Sequence, residues 1–280
     1  MILLFRKSSI MLGIVIVALA AAILTVNLCM GARSPAGGLA DPSDKAASIP
    51  ANRPVEGDGD KPGNNATASP ANPTDGPFSA AGKVVVLDAG HGGEDPGAVS
   101  SYSGAKEKDI TLTIADKTRA LLESAGYKVI MTRTDDVLAY DDENVSMTRK
   151  RRQDLLKRKK LMDESGADIV VSIHLNSFTD SEYSGAQVFY TKESMSSKKL
   201  AISIQESLRN NLNPQNEREA LLKSEDIIIT KGCKVTTVIA ECGFLSNQAE
   251  EAQLCSEEYQ NKIAAALKIG IDNYFATPEK

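Results

Sequence analysis

The chain has 280 residues, 42% of them apolar and 25% charged, with a formal net charge of -5 and only two histidines. That length holds one sizeable domain with extensions, or two small ones. The mild negative charge excludes a global field drawing the protein onto nucleic acid, and the absence of Trp argues against a sugar-stacking module built on exposed rings.

Residues 10–32 (IMLGIVIVALAAAILTVNLCMGA) are almost unbroken apolar sequence, and roughly 20 such residues cross a bilayer core as a helix. Arg6 and Lys7 precede the run, which predicts a cytoplasmic N-terminus and an extracytoplasmic remainder. The run outlasts the apolar stretch of about 7–15 residues in a cleaved signal, and it ends in Leu28-Cys29-Met30 without a small-residue exit. Residues 1–32 are therefore read as a stub and single-pass membrane anchor, with secretion after signal cleavage as the alternative. Cys29 sits at the membrane boundary, but Asn27-Leu28 lacks the small residues that lipidation needs. Residues 33–82, rich in Pro, Gly, Ala, Asp and Asn, bury too little to offset ordering entropy and read as a disordered linker.

From Lys83 the pattern alternates. Val84–Leu87 is β-branched and suits a buried strand; residues 110–125 show helical spacing ended by Gly126; Tyr127–Thr132 reads as a second strand. A basic helix spans 147–164, and Asp168–Ile173 and Gly185–Tyr190 are further strands. Residues 195–212 are helical, Thr236–Ala240 is another buried strand, and 257–275 is a closing amphipathic helix. Alternating strands and helices predict an α/β catalytic domain over 83–277, a single mostly parallel sheet flanked by helices on both faces. The run Arg149–Arg152 with Lys157–Lys160 reads by default as a solvated helix face, the sharper reading being a contact with anionic polymer, lipid or an acidic partner. Cys233, Cys242 and Cys255 make no C-x-x-C pair and read as buried apolar fillers.

Chemistry concentrates at strand ends. His91 follows the strand KVVVLDAG and His174 ends DIVVSI, and open α/β sheets bind ligands at the carboxyl ends of their strands. Two imidazoles delivered there suit zinc, which takes a carboxylate as third ligand and leaves a fourth position open. Glu94, Asp95 and Glu107 are the candidate acids, and spacing alone does not separate them. Gly92, Gly93 and Gly97 permit tight turns beside the site.

Four blocks in order, VVLDAGHGGEDPGA, EKDITL, SIHLNS and IAECGFLSN, resemble the zinc-dependent N-acetylmuramoyl-L-alanine amidases of the amidase-3 type, over about Lys83 to Phe275. The resemblance implies one zinc held by His91, Glu107 and His174, with Glu241 as catalytic acid/base. It implies a peptidoglycan hydrolase that cleaves the amide between N-acetylmuramic acid and L-alanine. Anchor, tether and short domain together are similar to the sporulation and germination amidases of spore formers, which strip stems from cortex peptidoglycan before muramic-lactam is made. Such an enzyme leaves room for an accessory activator protein, because nothing in the sequence supplies self-regulation. Asn176 is read as ordering its loop or touching substrate, and Arg133 and Arg158 as structural ion-pair or substrate-rim residues. Cys242, next to Glu241 on an extended backbone, points the other way and packs. The competing readings are a non-catalytic wall-binding module on an amidase fold and a zinc peptidase cutting within the stem.

Overall fold

The computed structural model describes residues 79–191, 195–223 and 227–277. The anchor expected within 1–32 and nearly all of the linker expected over 33–82 lie outside the described residues. Among the described residues no helix is long and apolar enough to cross a membrane. Ala80 already packs into the core, three residues before Lys83.

Six strands form one sheet: β1 (Val84–Ala89), β2 (Lys128–Met131), β3 (Ile169–Asn176), β4 (Gln187–Tyr190), β5 (Leu221–Leu222) and β6 (Thr236–Phe244). Their order is β2-β1-β3-β6-β4-β5. The sheet is mixed: β1 pairs in parallel with β2 and β3, β3 with β6, and β4 with β5, whereas β4 runs antiparallel to β6. β1, β3 and β6 are buried almost throughout, as expected of central strands covered on both faces.

Side-chain alternation sorts the strands into two faces. Val85, Leu87, Ile173 and Ala240 join the large core with Ile110 and Ile114 of α1 (Glu107–Ser124), Ile204 of α3 (Met195–Leu212) and Leu267 of α5 (Glu257–Ala276). Val86 and Val170 face the other way, onto Met162 of α2 (Met147–Glu164) and Ile229. The buried residues of α2 are Lys150, Asp154, Arg158 and Met162, spaced four apart. The basic run is thus only partly a solvated face, because two of its cations lie on the buried stripe and meet acids there. Arg158 donates to Asp154 (2.7 Å) and Asp88 (3.0 Å), and Lys150 to Glu94 (2.9 Å).

Helix α1 opens with Glu107 and Asp109 in its first turn, where the positive end of the helix dipole favours carboxylates. A short α4 (Gln248–Leu254) starts at Asn247, whose side chain accepts the Glu250 N–H, and α5 starts at Ser256, which caps Tyr259. All three cysteines among the described residues are free, yet only Cys242 is buried; Cys233 is half-buried and Cys255 is exposed at the end of α4. The expectation of three buried fillers therefore holds for Cys242 alone, since a short surface helix has no interior to offer Cys255.

Candidate metal centre

The site lies on the α2 face, at the carboxyl ends of β1, β3 and β6. β1 ends at Ala89, and Gly90 follows because the His174 imidazole lies against it: a Cβ there would stand 2.4–2.6 Å from three of its ring atoms. His91 comes next with φ 63, the left-handed region that a non-glycine residue enters only under constraint.

Two buried arginines supply that constraint. Arg133 donates to the carbonyls of Ala89 (2.9 Å) and Gly90 (3.0 Å), and Arg158 to those of Ala89 (2.6 Å) and His91 (2.7 Å). Three successive carbonyls leave the sheet ladder at this turn, and guanidinium groups satisfy them. Arg158, 4% exposed at its side chain, lies beneath the site with its donors engaged by protein groups. Its ion pairs and carbonyl contacts match the structural role that sequence reading gave beside a substrate-rim one.

The three candidate acids separate cleanly in space. Glu107 Oε1 lies 3.0 Å from His174 Nδ1 and 3.2 Å from His91 Nε2, and one ligating atom from each of His91, Glu107 and His174 falls within 4.8 Å of the others. The Leu175 N–H (3.0 Å) and Ala98 N–H (2.8 Å) fix the Glu107 carboxylate. Gly97 sits so close that a Cβ would come 2.4 Å from that carboxylate. Asp95 faces the opposite side of His91, with Oδ2 2.9 Å from Nδ1, which leaves Nε2 directed at Glu107. Glu94 turns away to Lys150 and is half-exposed.

These contacts set the electrostatics. Burial alone would lower the proton affinity of His91, but the hydrogen bonds it donates to Asp95 and Glu107 outweigh it and push the imidazole up to about 9. His174 is likewise raised against its burial by Glu107 and by the charge of Glu241. Burial would raise Glu107, yet its bonds to both histidines hold it far below the usual carboxylate range. Two proton-avid imidazoles around a strongly anionic carboxylate form a site ready to exchange protons for a divalent cation.

Glu241 pairs in register with His174 on the neighbouring strand, inside β6 rather than at its end. Its Oε2 is buried with no hydrogen-bond partner, and burial, with the Glu107 charge, raises its proton affinity. It lines a cleft of about 360 Å³ together with His91, His174 and Arg151, walled by Leu155, Ile227, Ile229 and Ile239. An unpartnered carboxyl beside such a donor set is an arrangement for proton transfer. Asn176 acts through its backbone, its carbonyl accepting the Leu245 N–H at 2.9 Å.

The supporting place of Asp95 behind His91 was not read from the sequence; the i,i+4 spacing of His91 and Asp95 in a glycine-rich turn was the available signal for it. Asp88, buried between Arg158, Ser172 and Thr132, carried no signal beyond being an acid within an apolar strand.

Residues 85–273 match the family profile described as N-acetylmuramoyl-L-alanine amidase. The chain is 38% identical over 196 residues to the germination-specific N-acetylmuramoyl-L-alanine amidase of Bacillus subtilis (strain 168), covering 69% of this chain and 80% of that protein. Among solved structures it is similar to the CwlD amidase of Clostridioides difficile in complex with the GerS lipoprotein, at 46% identity and TM-score 0.67, over 69% of this chain and 98% of that one. The catalytic domain of CwlV from Bacillus (Paenibacillus) polymyxa matches at 29% identity and TM-score 0.57, over 69% and 97%.

Proposed function

The chain belongs to the N-acetylmuramoyl-L-alanine amidase family, and from that membership and the strand-end geometry we infer how it hydrolyses peptidoglycan. The bond cleaved is the amide between the lactyl group of N-acetylmuramic acid and the L-alanine that begins the stem. The observation that carries the mechanism is the convergence of His91, Glu107 and His174 within 4.8 Å beside the unpartnered oxygen of Glu241.

Two imidazole nitrogens and one carboxylate match the donor set of a hydrolytic zinc, and Asp95 behind His91 is the supporting carboxylate that such a ligand commonly has. When bound, zinc supplies Lewis acidity at the scissile carbonyl and lowers the pKa of water toward about 7. Glu241 takes the proton of the attacking water and returns it to the amide nitrogen as the C–N bond breaks, so that L-alanine leaves as a neutral amine. The raised proton affinity of Glu241 lets it hold that proton between the two steps. Arg133, Arg158 and Asp95 keep the imidazole of His91 in place meanwhile.

The physiological assignment follows the relatives. One is germination-specific and another was solved with a lipoprotein; we carry over both, assigning this enzyme to spore-cortex peptidoglycan, ahead of muramic-lactam formation, with an accessory protein as partner. An N-terminal anchor and linker would hold the catalytic domain outside the cell membrane.

Mass spectrometry of digested muropeptides tests the reaction. Free stems beginning with L-alanine are expected; shortened stems would indicate a peptidase, and intact muropeptides a binding module. Glu241→Gln is expected to retain zinc and lose nearly all turnover, and wild-type turnover in that variant would remove Glu241 from the mechanism.

A further inference from the structure

The cleft holds one charged side chain whose position the chemistry above leaves unused. Asp88, Asp154 and Arg158 also line it, but they are buried and paired with one another. Lys150 is engaged by Glu94 and Lys108 by Asp136, each with a side chain no more than 10% exposed, and Lys223, whose charge reaches Glu241, lies over the Phe189 ring rather than lining the cleft. Arg151 differs, since its side chain lines the cleft and is 49% exposed.

Its mounting is specific. Nη2 lies 2.7 Å from Asp95 Oδ1, while the other oxygen of Asp95 engages His91 Nδ1 at 2.9 Å. A guanidinium carries five N–H groups in a planar fork and can bind a second carboxylate while one edge is held. Lys150 keeps Glu94, the nearest competing acid in the turn, away from it. Beyond His91, His174 and Glu241 at its metal-site end, the cleft is walled by Leu155, Ile227, Ile229 and Ile239, so an anion lying along that wall finds its counter-charge at Arg151.

We propose that Arg151 reads the stem: its guanidinium binds the carboxylate of the residue following L-alanine, so that stems with this carboxylate free are preferred over stems with it amidated. The inference rests on the amidase reading. Reach agrees with it, because the second stem residue stands about 7 Å from the scissile amide at roughly 3.5 Å per extended residue. Arg151 stands off from His91 by the width of one carboxylate. The simpler role is a strut that orients Asp95, and the two roles part experimentally. A strut sets zinc retention and acts alike on every substrate, whereas a reader sets the ratio between two substrates.

The test uses full-length protein in detergent and paired synthetic muropeptides with D-glutamate or D-isoglutamine as second stem residue. Wild type is expected to favour the free carboxylate by about tenfold in kcat/KM, mostly through KM, the size expected of a half-exposed charged hydrogen bond. Arg151→Gln is expected to bring the ratio close to one, and Arg151→Lys to restore part of it. Equal wild-type rates on both substrates would overturn the proposal. So would an Arg151→Gln variant that loses zinc and rate on both while keeping the wild-type ratio, which is the signature of a strut. If wild type releases no stem beginning with L-alanine from either substrate, the amidase reading itself fails.

Discussion

Replacing Asp95 by Asn tests the electrostatics of the metal centre in a single variant. In the metal-free protein His91 holds a proton up to about pH 9, because Asp95 and Glu107 outweigh the effect of burial. A cation must displace that proton. At pH 7 the displacement costs about two pKa units, or ~3 kcal/mol, so apparent zinc affinity should climb at least ~50-fold between pH 7 and pH 9, and further with any proton that His174 also gives up. The sign follows from the raised pKa: protonation competes below about 9, and the competition vanishes above it. Asp95→Asn removes the carboxylate that holds the proton, so the slope flattens. It also removes the partner that orients Nδ1, worth about 10–100-fold in metal affinity. The variant should therefore bind zinc well below wild type at pH 9 and approach it near neutrality. Competition against a chelator of known affinity, in zinc-buffered solution, measures both curves, with circular dichroism confirming the fold. A wild-type curve that is flat between pH 7 and 9, or two curves that run parallel, would refute the reasoning.

Gly90→Ala should abolish zinc retention while leaving the fold, because the new Cβ would stand 2.4–2.6 Å from ring atoms of His174; wild-type zinc by elemental analysis would show that the ring can slide aside. Asp88→Ala strips Arg158 of one buried partner and should cost about 3–5 kcal/mol in urea unfolding; a loss below ~1 kcal/mol would mean that Asp154 alone neutralises the guanidinium. Burial opposes ionisation of Asp88, but Arg158, Ser172 and Thr132 hold its carboxyl down from 3.8 to about 2. Its folded value is the lower one, so its contribution of ~2 kcal/mol is present above pH 4 and lost as pH falls toward 2. An acid titration of stability that keeps the wild-type slope in Asp88→Ala would contradict this.

Much of the architecture was legible in the chain, and the gaps have physical causes. Helices α2 and α3 begin and end at the residues that periodicity predicts, 147–164 and 195–212. The strands β3 and β6 run past their predicted ends, to Asn176 and Phe244, because His174 and Glu241 interrupt the apolar pattern without leaving the ladder. The antiparallel course of β4 was hidden, since strand direction is set by the partner and not by local pattern. β5 and α4 went unread, one being two exposed residues and the other seven residues long. The two histidines stood out by their strand-end positions. Their acidic partner did not, because Glu107 comes to them only when α1 packs on the sheet. The basic helix misled for a related reason: periodicity of charge does not say which charges will find buried acids.

The division of labour between the two faces explains how this fold carries so many buried charges at one end. The large core, of α1, α3 and α5 against the sheet, contains none of the donor side chains and can hold the domain together by apolar burial. The opposite face has only a small apolar cluster around Met162 and Val170. There α2 docks through Asp154 and Arg158, and the same guanidinium that neutralises Asp88 also ties down the carbonyl of His91. One buried ion network therefore does two things, attaching a helix and holding a left-handed histidine. The candidate metal site is in this way coupled to the packing of α2, through Arg158 on the backbone of His91. A partner that shifted α2 by a fraction of an ångström would be felt at the metal centre without touching it.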